Sequence, residues 1–229
     1  MSAIAADPGP ATVPAPAPAP ADDSGPAVRS GGGRGNRPGR TARTRAKLFQ
    51  AAVALLGERG PAHVSIDEIA AAAGVSKGTV YYNFSSKADL VAKVLESGVD
   101  LMEERLLGVD DTTDPVDHVA DMVGRALDFL TEYPSFTRLW MSEMWRPMSQ
   151  WDAELSALRG RLLSLIQDRL EAVAGTHDVD PTLPIEQLAV TLMGSTMFTG
   201  LSRDTHGATL DRATAVAVVM AAVRGWVRD

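Results

Sequence analysis

The stretch from Ser65 to Lys87 constrains the fold of this chain more than any other part of it. Ser65-Ile-Asp-Glu68 is a capping box, which predicts that a short helix begins at Ile66. Gly74 is predicted to end that helix, because a tight turn between helices favours a small residue. Ser76 is predicted to cap a further short helix that reaches about Phe84. Two short helices joined in this way form a helix-turn-helix.

Each of these short helices has one apolar side. The residues predicted to be buried are Ile66, Ile69 and Ala70 on the first helix, and Val75, Val80 and Phe84 on the second. Opposite Val80 and Phe84, the second helix carries Gly78, Thr79 and Tyr82, with Tyr81 beside them and Lys77 at the N-terminal end. This small, polar and aromatic face suits a helix that enters the major groove of DNA with its N-terminus first.

Charge is distributed unevenly along the chain, and the formal net charge of −7 hides this. Residues 1–28 carry three acids and no base, residues 29–95 carry eleven Lys or Arg and four acids, and residues 96–229 carry eleven Arg and twenty-two acids. The three segments therefore have net charges of −3, +7 and −11. A basic segment beside an acidic one predicts that residues 29–95 bind a polyanion.

The helix-turn-helix closely resembles the DNA-binding head of the tetracycline repressor (TetR) family of bacterial transcription regulators. The residues that carry the resemblance are Ile69-Ala70, Ala73-Gly74-Val75-Ser76, Gly78-Thr79-Val80-Tyr81, Phe84 and Lys87-Ala-Asp-Leu90. The motif is specific and covers about Thr41 to Leu95. The rest of the chain resembles the family only in length, helix count and helical content.

The resemblance implies a DNA-contacting role for particular side chains. Bases and nearby phosphates would be approached by Lys77, Gly78 and Thr79; phosphates, sugars or thymine methyl groups by Tyr81 and Tyr82; and backbone phosphates by Lys87 and the Ser65 hydroxyl. Asn83 departs from the family pattern, since many members carry His there.

The N-terminal 40 residues differ in composition from the rest of the chain. They hold eight of the fourteen Pro and seven of the twenty Gly, and we expect them to be disordered. The basic residues that begin here and run on into the head, with no acid among them, are Arg29, Arg34, Arg37, Arg40, Arg43, Arg45 and Lys47. This arm either reaches into a minor groove, with Arg40 and Arg43 as contacts, or serves as a solubilising tail.

The remaining sequence is helical in its periodicity, and the predicted fold class is all-α with about nine helices. We predict an N-terminal three-helix head over residues 41–88 and a larger helical ligand-binding and dimerisation domain over residues 89–229. A long helix is predicted from Ser86 to about Leu107, and the last two helices at about 185–201 and 209–227.

Methionine and aromatic residues are dense in the larger domain, which is typical of a deformable apolar pocket. The candidate ligand-binding residues are Met102, Met122, Phe129, Phe136, Trp140, Met144, Trp145, Met193 and Met197. An ordinary core with methionine as gap filler is the alternative.

The stretch from Ala213 to Val223 is apolar nearly all round, so it must be covered on two sides. We predict that one side packs on the chain's own body. The other side would pack on a second copy, in a homodimer formed through the last two helices, as the family resemblance also implies.

Several function classes are disfavoured. The chain has no Cys, which excludes disulfides, thiolate zinc sites and cysteine nucleophiles. Gly74-Val-Ser-Lys-Gly78 matches a hydrolase nucleophile pattern, but a helix rather than a strand precedes the serine, so we expect no enzyme. We also expect no cofactor, no metal site and no membrane-spanning segment, and a cytoplasmic location.

The predicted function is a ligand-responsive DNA-binding regulator. In this interpretation a dimer represses by binding a palindromic operator of double-stranded DNA, and a small lipophilic effector releases it by shifting a two-state equilibrium through the long helix. The alternatives are a DNA-binding regulator with no small-molecule effector, and a helical ligand-binding or catalytic protein whose head no longer binds DNA.

Overall fold

The computed structural model describes residues 37–108, 114–144, 152–205 and 210–228, without side-chain detail for residues 37–42, 152 and 203–205. The described part is all-α, as predicted. Its helices are α1 (Arg37–Arg59), α2 (Ile66–Ala73), α3 (Lys77–Asn83), α4 (Lys87–Leu107), α5 (Pro115–Glu132), α6 (Pro134–Met144), α7 (Asp152–Ala174), α8 (Ile185–Thr205), α9 (Arg212–Val219) and α10 (Ala221–Trp226). Within these ranges no helix has an apolar stretch long enough to cross a membrane.

The local signals in the head produce the helix ends that they predict. The Ser65 hydroxyl accepts a hydrogen bond from the Glu68 backbone amide at 3.2 Å, and the Glu68 carboxylate accepts one from the Ser65 amide at 2.8 Å, which completes the capping box. Gly74 follows α2 with a φ of 67°, a left-handed conformation that a side chain would strain. Ser76 and Ser86 cap α3 and α4 through the backbone amides of Thr79 and Asp89.

The core runs without a break from the head into the body, and α4 is the helix that both share. Its first half buries Leu90 and Val94, and its second half buries Met102 and Leu106. In the head, the predicted buried residues Ile69, Val80 and Phe84 are at most 3% exposed. Helix α4 therefore packs with one half in the head and with the other half in the body.

Helices α1 and α8 each have one end that differs from the sequence expectation. Helix α1 begins at Arg37 rather than near Thr41, and Pro38 is compatible with a first helical turn because no intrahelical donor is needed there. Helix α8 continues to Thr205 rather than ending near Leu201.

The last predicted helix, 209–227, is also different. It begins at Arg212, because the Asp211 side chain caps it by accepting from the Thr214 amide at 2.9 Å, and a turn at Met220 divides it into α9 and α10. If α9 and α10 are counted as one, the described residues form nine α-helices.

Helix α6 packs directly on α1, a contact that joins the body to the head. A Cβ atom on Gly57 of α1 would lie 2.2 Å from the backbone oxygen of Ser135 in α6. The Arg138 guanidinium donates from Nε to the Gly57 carbonyl oxygen at 3.3 Å. The two helices therefore meet at backbone distance, which only a residue without a side chain permits at position 57.

Candidate functional site

The outward face of α3 is the first candidate site. Tyr82 is 84% exposed and Tyr81 is 50% exposed, while Val80 between them and the core is fully buried. Lys77 and Gly78 are exposed at the start of the helix, and Thr79 is half-buried. The structure thus places all five residues predicted to read DNA on one seven-residue helix, whose buried side anchors it to the head.

Lys77 is held in an ion pair in the DNA-free structure. Its Nζ lies 3.0 Å from a carboxylate oxygen of Asp67 on α2, and both side chains are more than half exposed. The hydrogen bond that Lys77 donates to Asp67 raises the pKa of the Lys77 ammonium, so the lysine stays positively charged. Because an exposed pair of this kind is weak, a phosphate can compete with Asp67 for the ammonium.

Thr79 and Asn83 are linked within α3. The Thr79 hydroxyl lies 2.9 Å from the Ser76 hydroxyl, and the Asn83 amide donates to the Thr79 carbonyl oxygen at 2.8 Å. The residue that departs from the family pattern, Asn83, thus uses its side chain to close the last turn of α3.

Ser65 and Glu68 form the N-terminal end of α2. The Ser65 hydroxyl donates to the Glu68 carboxylate at 2.8 Å, and the Arg59 guanidinium bonds the same carboxylate at 2.6 Å. The hydrogen bond from the Ser65 backbone amide, with the bond from Arg59, lowers the pKa of Glu68 to about 2. The Ser65 hydroxyl predicted to bind a DNA phosphate is therefore hydrogen-bonded to a carboxylate.

The remaining predicted DNA contacts lie on α1 and α4. Lys87 is the first residue of α4 and is half-buried. Arg43 is exposed on α1, and Arg40 lies in the first turn of that helix, where its side chain is outside the described set. Residues 1–36 of the predicted arm also lie outside the described residues. The DNA-binding roles of these residues stay predictions.

A small apolar cavity lies between α4, α5, α7 and α8 and is the second candidate site. Its volume is about 40 Å³, and its lining comprises Met102, Leu106, Met122, Val123, Ala126, Leu130, Leu162, Ile166, Leu192, Met193, Thr196 and Met197. Four of the nine predicted ligand-binding residues, all methionines, are among them. The cavity is much smaller than the several hundred Å³ of a typical ligand site, so it must expand to admit a ligand.

The predicted aromatic ligand contacts do not line this cavity. Phe129, Phe136 and Trp140 are fully buried in a separate aromatic cluster, with centroid distances of 5.8 Å for the first pair and 6.2 Å for the second. Phe136 packs against Gly98 of α4, where a Cβ atom would overlap its ring. Met144 is half-buried at the end of α6, and Trp145 lies outside the described residues.

Sequence reasoning missed one side-chain link between α4 and α7. Arg161 of α7 donates to Asp100 at 2.7 Å and, from Nε, to Glu103 at 3.0 Å, both on α4. The hydrogen bond that Arg161 donates to Glu103 is the main cause of a raised pKa for Arg161. These residues are about sixty positions apart, and no local pattern pairs them.

An apolar and partly small-residue surface lies on α8, α9 and α10. Phe198 is 54% exposed and Val218 is 58% exposed, and Val190 on α8 is also exposed. Cβ atoms on Gly194 and Gly225 would meet nothing within 4 Å. Large apolar side chains exposed beside residues without side chains are typical of a surface that a partner helix covers.

Comparison with known proteins adds a family to this geometry. The model of the family described as bacterial regulatory proteins, tetR family, matches residues 48–94, which run from the second half of α1 to the first half of α4. The HTH-type transcriptional repressor SCO4008 of Streptomyces coelicolor is 34% identical over 112 residues, which cover 49% of this chain and 54% of the relative. The chain thus spans about half the length or less of the curated relatives that it matches.

Solved structures share the fold over a longer stretch. The regulator FadR of Bacillus subtilis, solved with stearoyl-CoA, aligns with a TM-score of 0.66 at 17% identity and covers 78% of this chain and 97% of its own. AibR, solved with isovaleryl coenzyme A and operator DNA, aligns with a TM-score of 0.64 at 20% identity and covers 78% and 96%. Likeness at this identity establishes the fold of the body as well as the head.

Proposed function

We propose that the chain is a transcription regulator of the TetR family, namely a repressor that binds a palindromic operator as a homodimer and is released by a small lipophilic ligand. The observation that carries the proposal is the exposed pair Tyr81 and Tyr82 on α3. Aromatic rings as exposed as these contribute little to the core, and they lie on a helix that the family match covers.

The proposed reading of DNA follows from the order of residues along α3. Lys77, Gly78 and Thr79 form its first turn, so their backbone and side chains approach base edges when the N-terminus enters the major groove. Tyr81 and Tyr82 lie one turn later and contact phosphates and sugars on either side. Gly78 has no neighbouring atom closer than 3.8 Å to an added Cβ, so it leaves space for a base pair.

Phosphate contacts outside α3 complete the interface. Lys87 and the N-terminal end of α2 at Ser65 would bind backbone phosphates, and Arg40 and Arg43 would add charge from α1. The ion pair of Lys77 with Asp67 and the bond of Ser65 to Glu68 would exchange for contacts with DNA.

Dimerisation is proposed through α8, α9 and α10, where Val190, Phe198 and Val218 are exposed. In the proposed dimer, a two-fold axis through this surface would bring two α3 helices to one side. Their separation would match half-sites whose centres are about 34–36 Å, or a multiple of this, apart. A palindromic operator follows from that symmetry.

Release by a ligand is proposed to act through α4. Met102 and Leu106 line the cavity, and Leu90 and Val94 of the same helix pack under the head. A ligand that expands the cavity displaces the second half of α4, which changes the spacing of the two heads. Operator affinity falls only by as much as the ligand prefers the displaced state. The ligand-bound structures of FadR and AibR support a ligand-binding role for a body of this fold.

We propose the same two domains as the sequence predicts, with an earlier start for the first helix of the head. The head covers residues 41–88 and the body residues 89–229, but the helix that begins the head starts at Arg37, within the proposed arm. We propose that the chain acts by binding alone, without an enzymatic step, in the cytoplasm where bacterial DNA lies.

The small volume of the cavity favours a second candidate function, a DNA-binding regulator with no small-molecule effector. A cavity of about 40 Å³ holds about one water molecule. If the four methionine side chains do not repack, they serve only as hydrophobic core. The cavity then admits no ligand, and the protein represses without a small-molecule signal.

Selection of genomic DNA fragments by the purified full-length protein tests operator recognition. The matched proteins are the wild type, Tyr82→Ala on α3 and Glu171→Ala on the exposed surface of α7. We expect one palindromic sequence to be enriched by the wild type and by Glu171→Ala, and at least about tenfold less by Tyr82→Ala. No enrichment by a folded wild-type dimer at moderate salt would contradict the proposal.

A further inference from the structure

We infer that the cavity between α4, α5, α7 and α8 takes an uncharged, mainly hydrocarbon molecule with at most one hydrogen-bonding group, and rejects the anion and the cation of the same skeleton. The inference deepens the proposed ligand response and rests on it. It concerns the chemistry of the effector, which the fold and the family match leave open.

The chemistry of the lining carries the inference. Eleven of the twelve lining residues have apolar side chains, and the exception is Thr196. The Thr196 hydroxyl already donates to the Leu192 carbonyl oxygen at 2.7 Å, within α8. Among the described residues, the lining can therefore accept one hydrogen bond, through the Thr196 oxygen, and has no side-chain donor left for an anion.

Two arginines beside the lining are paired with carboxylates that are not among the lining residues. Arg105 precedes the lining residue Leu106, and its guanidinium makes two hydrogen bonds to Glu132 at 2.9 and 3.1 Å. Arg161 precedes the lining residue Leu162 and is held by Asp100 and Glu103. Neither guanidinium lines the cavity, so a carboxylate or phosphate in it would have no counter-ion among the lining residues.

Burial makes a charge in this cavity costly. Ten of the twelve lining residues are buried, and only Ala126 and Met193 are partly exposed. A molecule held among these buried residues loses most of its contact with water. A charged group then shifts its pKa and becomes neutral rather than remain ionised.

The four methionines explain how such a small cavity can admit a ligand. Met102, Met122, Met193 and Met197 have unbranched side chains that repack around an apolar guest at little cost. Expansion against tightly packed apolar side chains is repaid by dispersion contacts, which a hydrocarbon guest makes over its whole surface. A strongly hydrated guest makes fewer of them.

The test uses the full-length protein labelled with ¹³C in its methionine methyl groups. Of the nine methionines, the four that line the cavity report on the site, and Met1, Met141, Met144, Met148 and Met220 are internal controls. The probes are 1-octanol, octanoate and octylammonium, which share one eight-carbon skeleton and differ in charge. Methyl NMR titrations are made at pH 7.5 and 6.5.

We expect 1-octanol to shift the four cavity methyl signals in a saturable way. Octanoate should bind at least about 100-fold more weakly than 1-octanol at pH 7.5. Its apparent affinity should rise about tenfold when the pH is lowered to 6.5, because only its neutral form enters and a carboxyl pKa is near 4.3. Octylammonium should also bind at least about 100-fold more weakly at pH 7.5 than 1-octanol does. Binding of either ion within tenfold of 1-octanol would overturn the inference.

A matched pair of variants locates the binding. Ala126→Leu adds three carbon atoms at the partly exposed edge of the cavity, and Ala157→Leu adds the same atoms on the exposed side of α7. Octanol affinity should fall about tenfold or more in the first and stay within twofold in the second. Equal affinities in the two would place the site elsewhere and overturn the inference.

The outcomes separate this inference from the proposed function. If ions bind as well as 1-octanol, the stated effector chemistry is wrong but the ligand site stands. If none of the probes shifts the cavity methionines, both the effector chemistry and the cavity as a ligand site are overturned. Operator selection is measured without any of these probes and is unaffected by either result.

Discussion

The contact between α1 and α6 makes Gly57 the residue at which a single methyl group should matter most. Gly57→Ala adds a Cβ atom 2.2 Å from the Ser135 oxygen, and 2.7 and 2.8 Å from the Ser135 carbonyl carbon and Cα. All three obstructing atoms belong to the backbone, so no side-chain rotation can relieve the overlap. Helices α1 and α6 must move apart.

The size of the effect follows from two opposing terms. Restoring an ordinary contact of about 3.4 Å requires a local separation of about 1 Å, and overpacking of this kind costs roughly 1–3 kcal/mol, with backbone clashes at the upper end. Replacing a glycine inside a helix by alanine returns about 1 kcal/mol. The net expectation is a loss of about 1–2 kcal/mol in the free energy of unfolding.

Gly160→Ala is the matched control. Gly160 lies inside α7 and is exposed, and a Cβ atom there would meet nothing within 4 Å. This variant keeps the helix-propensity gain without the overlap, so it should be about 0.5–1 kcal/mol more stable than the wild type.

Thermal unfolding at one fixed protein concentration measures both variants. For a chain of this length, about 1 kcal/mol shifts the melting temperature by roughly 2–4 °C. Gly57→Ala should therefore melt about 2–8 °C below the wild type, and Gly160→Ala about 1–4 °C above it. Equal or higher stability of Gly57→Ala would refute the close approach of α1 and α6.

Three further predictions concern charge and assembly. Because the pKa of Glu68 is lowered to about 2, its ionised form stabilises the fold above about pH 4.5, and this stability is lost as the pH falls towards 2. In urea unfolding, the free energy of unfolding of Glu68→Gln should fall below that of the wild type by more at pH 7 than at pH 3. An equal difference at both pH values would contradict the assignment. Arg161→Met should lower the free energy of unfolding by at most about 1 kcal/mol at low salt, because Arg161 and its partners Asp100 and Glu103 are partly exposed, and by less in about 1 M salt. A loss independent of salt would argue against an ionic role. Phe198→Asp should convert dimer to monomer in sedimentation equilibrium while Glu171→Ala does not, and an unchanged dimer would place the interface away from α8.

The head could be predicted almost residue by residue because its signals are local. Ser65, Ser76 and Ser86 each cap a helix through an amide three residues ahead, so the cause and its effect lie within one turn. Gly74 takes the left-handed conformation that its position between two helices requires. The buried side of α3 follows from the helical period alone.

Contacts between distant helices could not be predicted in the same way. The close approach of Gly57 to Ser135 and the ion pairs of Arg161 depend on how whole helices pack. The methionine and aromatic residues looked like one group by composition. In the structure Phe136 packs against Gly98 of α4, whereas Met193 of α8 and three other methionines line the cavity between α4, α5, α7 and α8.

Hydroxyl-radical footprinting of the selected operator tests the central claim most directly, namely that the exposed face of α3 reads two half-sites. We expect two protected patches related by a two-fold axis, with centres about 34–36 Å or a multiple of this apart. Tyr82→Ala should lose both patches at the same protein concentration and, with its side chain 84% exposed in the wild type, should remain as stable within about 0.5 kcal/mol. A single unsymmetrical patch, or a wild-type pattern that persists in Tyr82→Ala, would contradict the account.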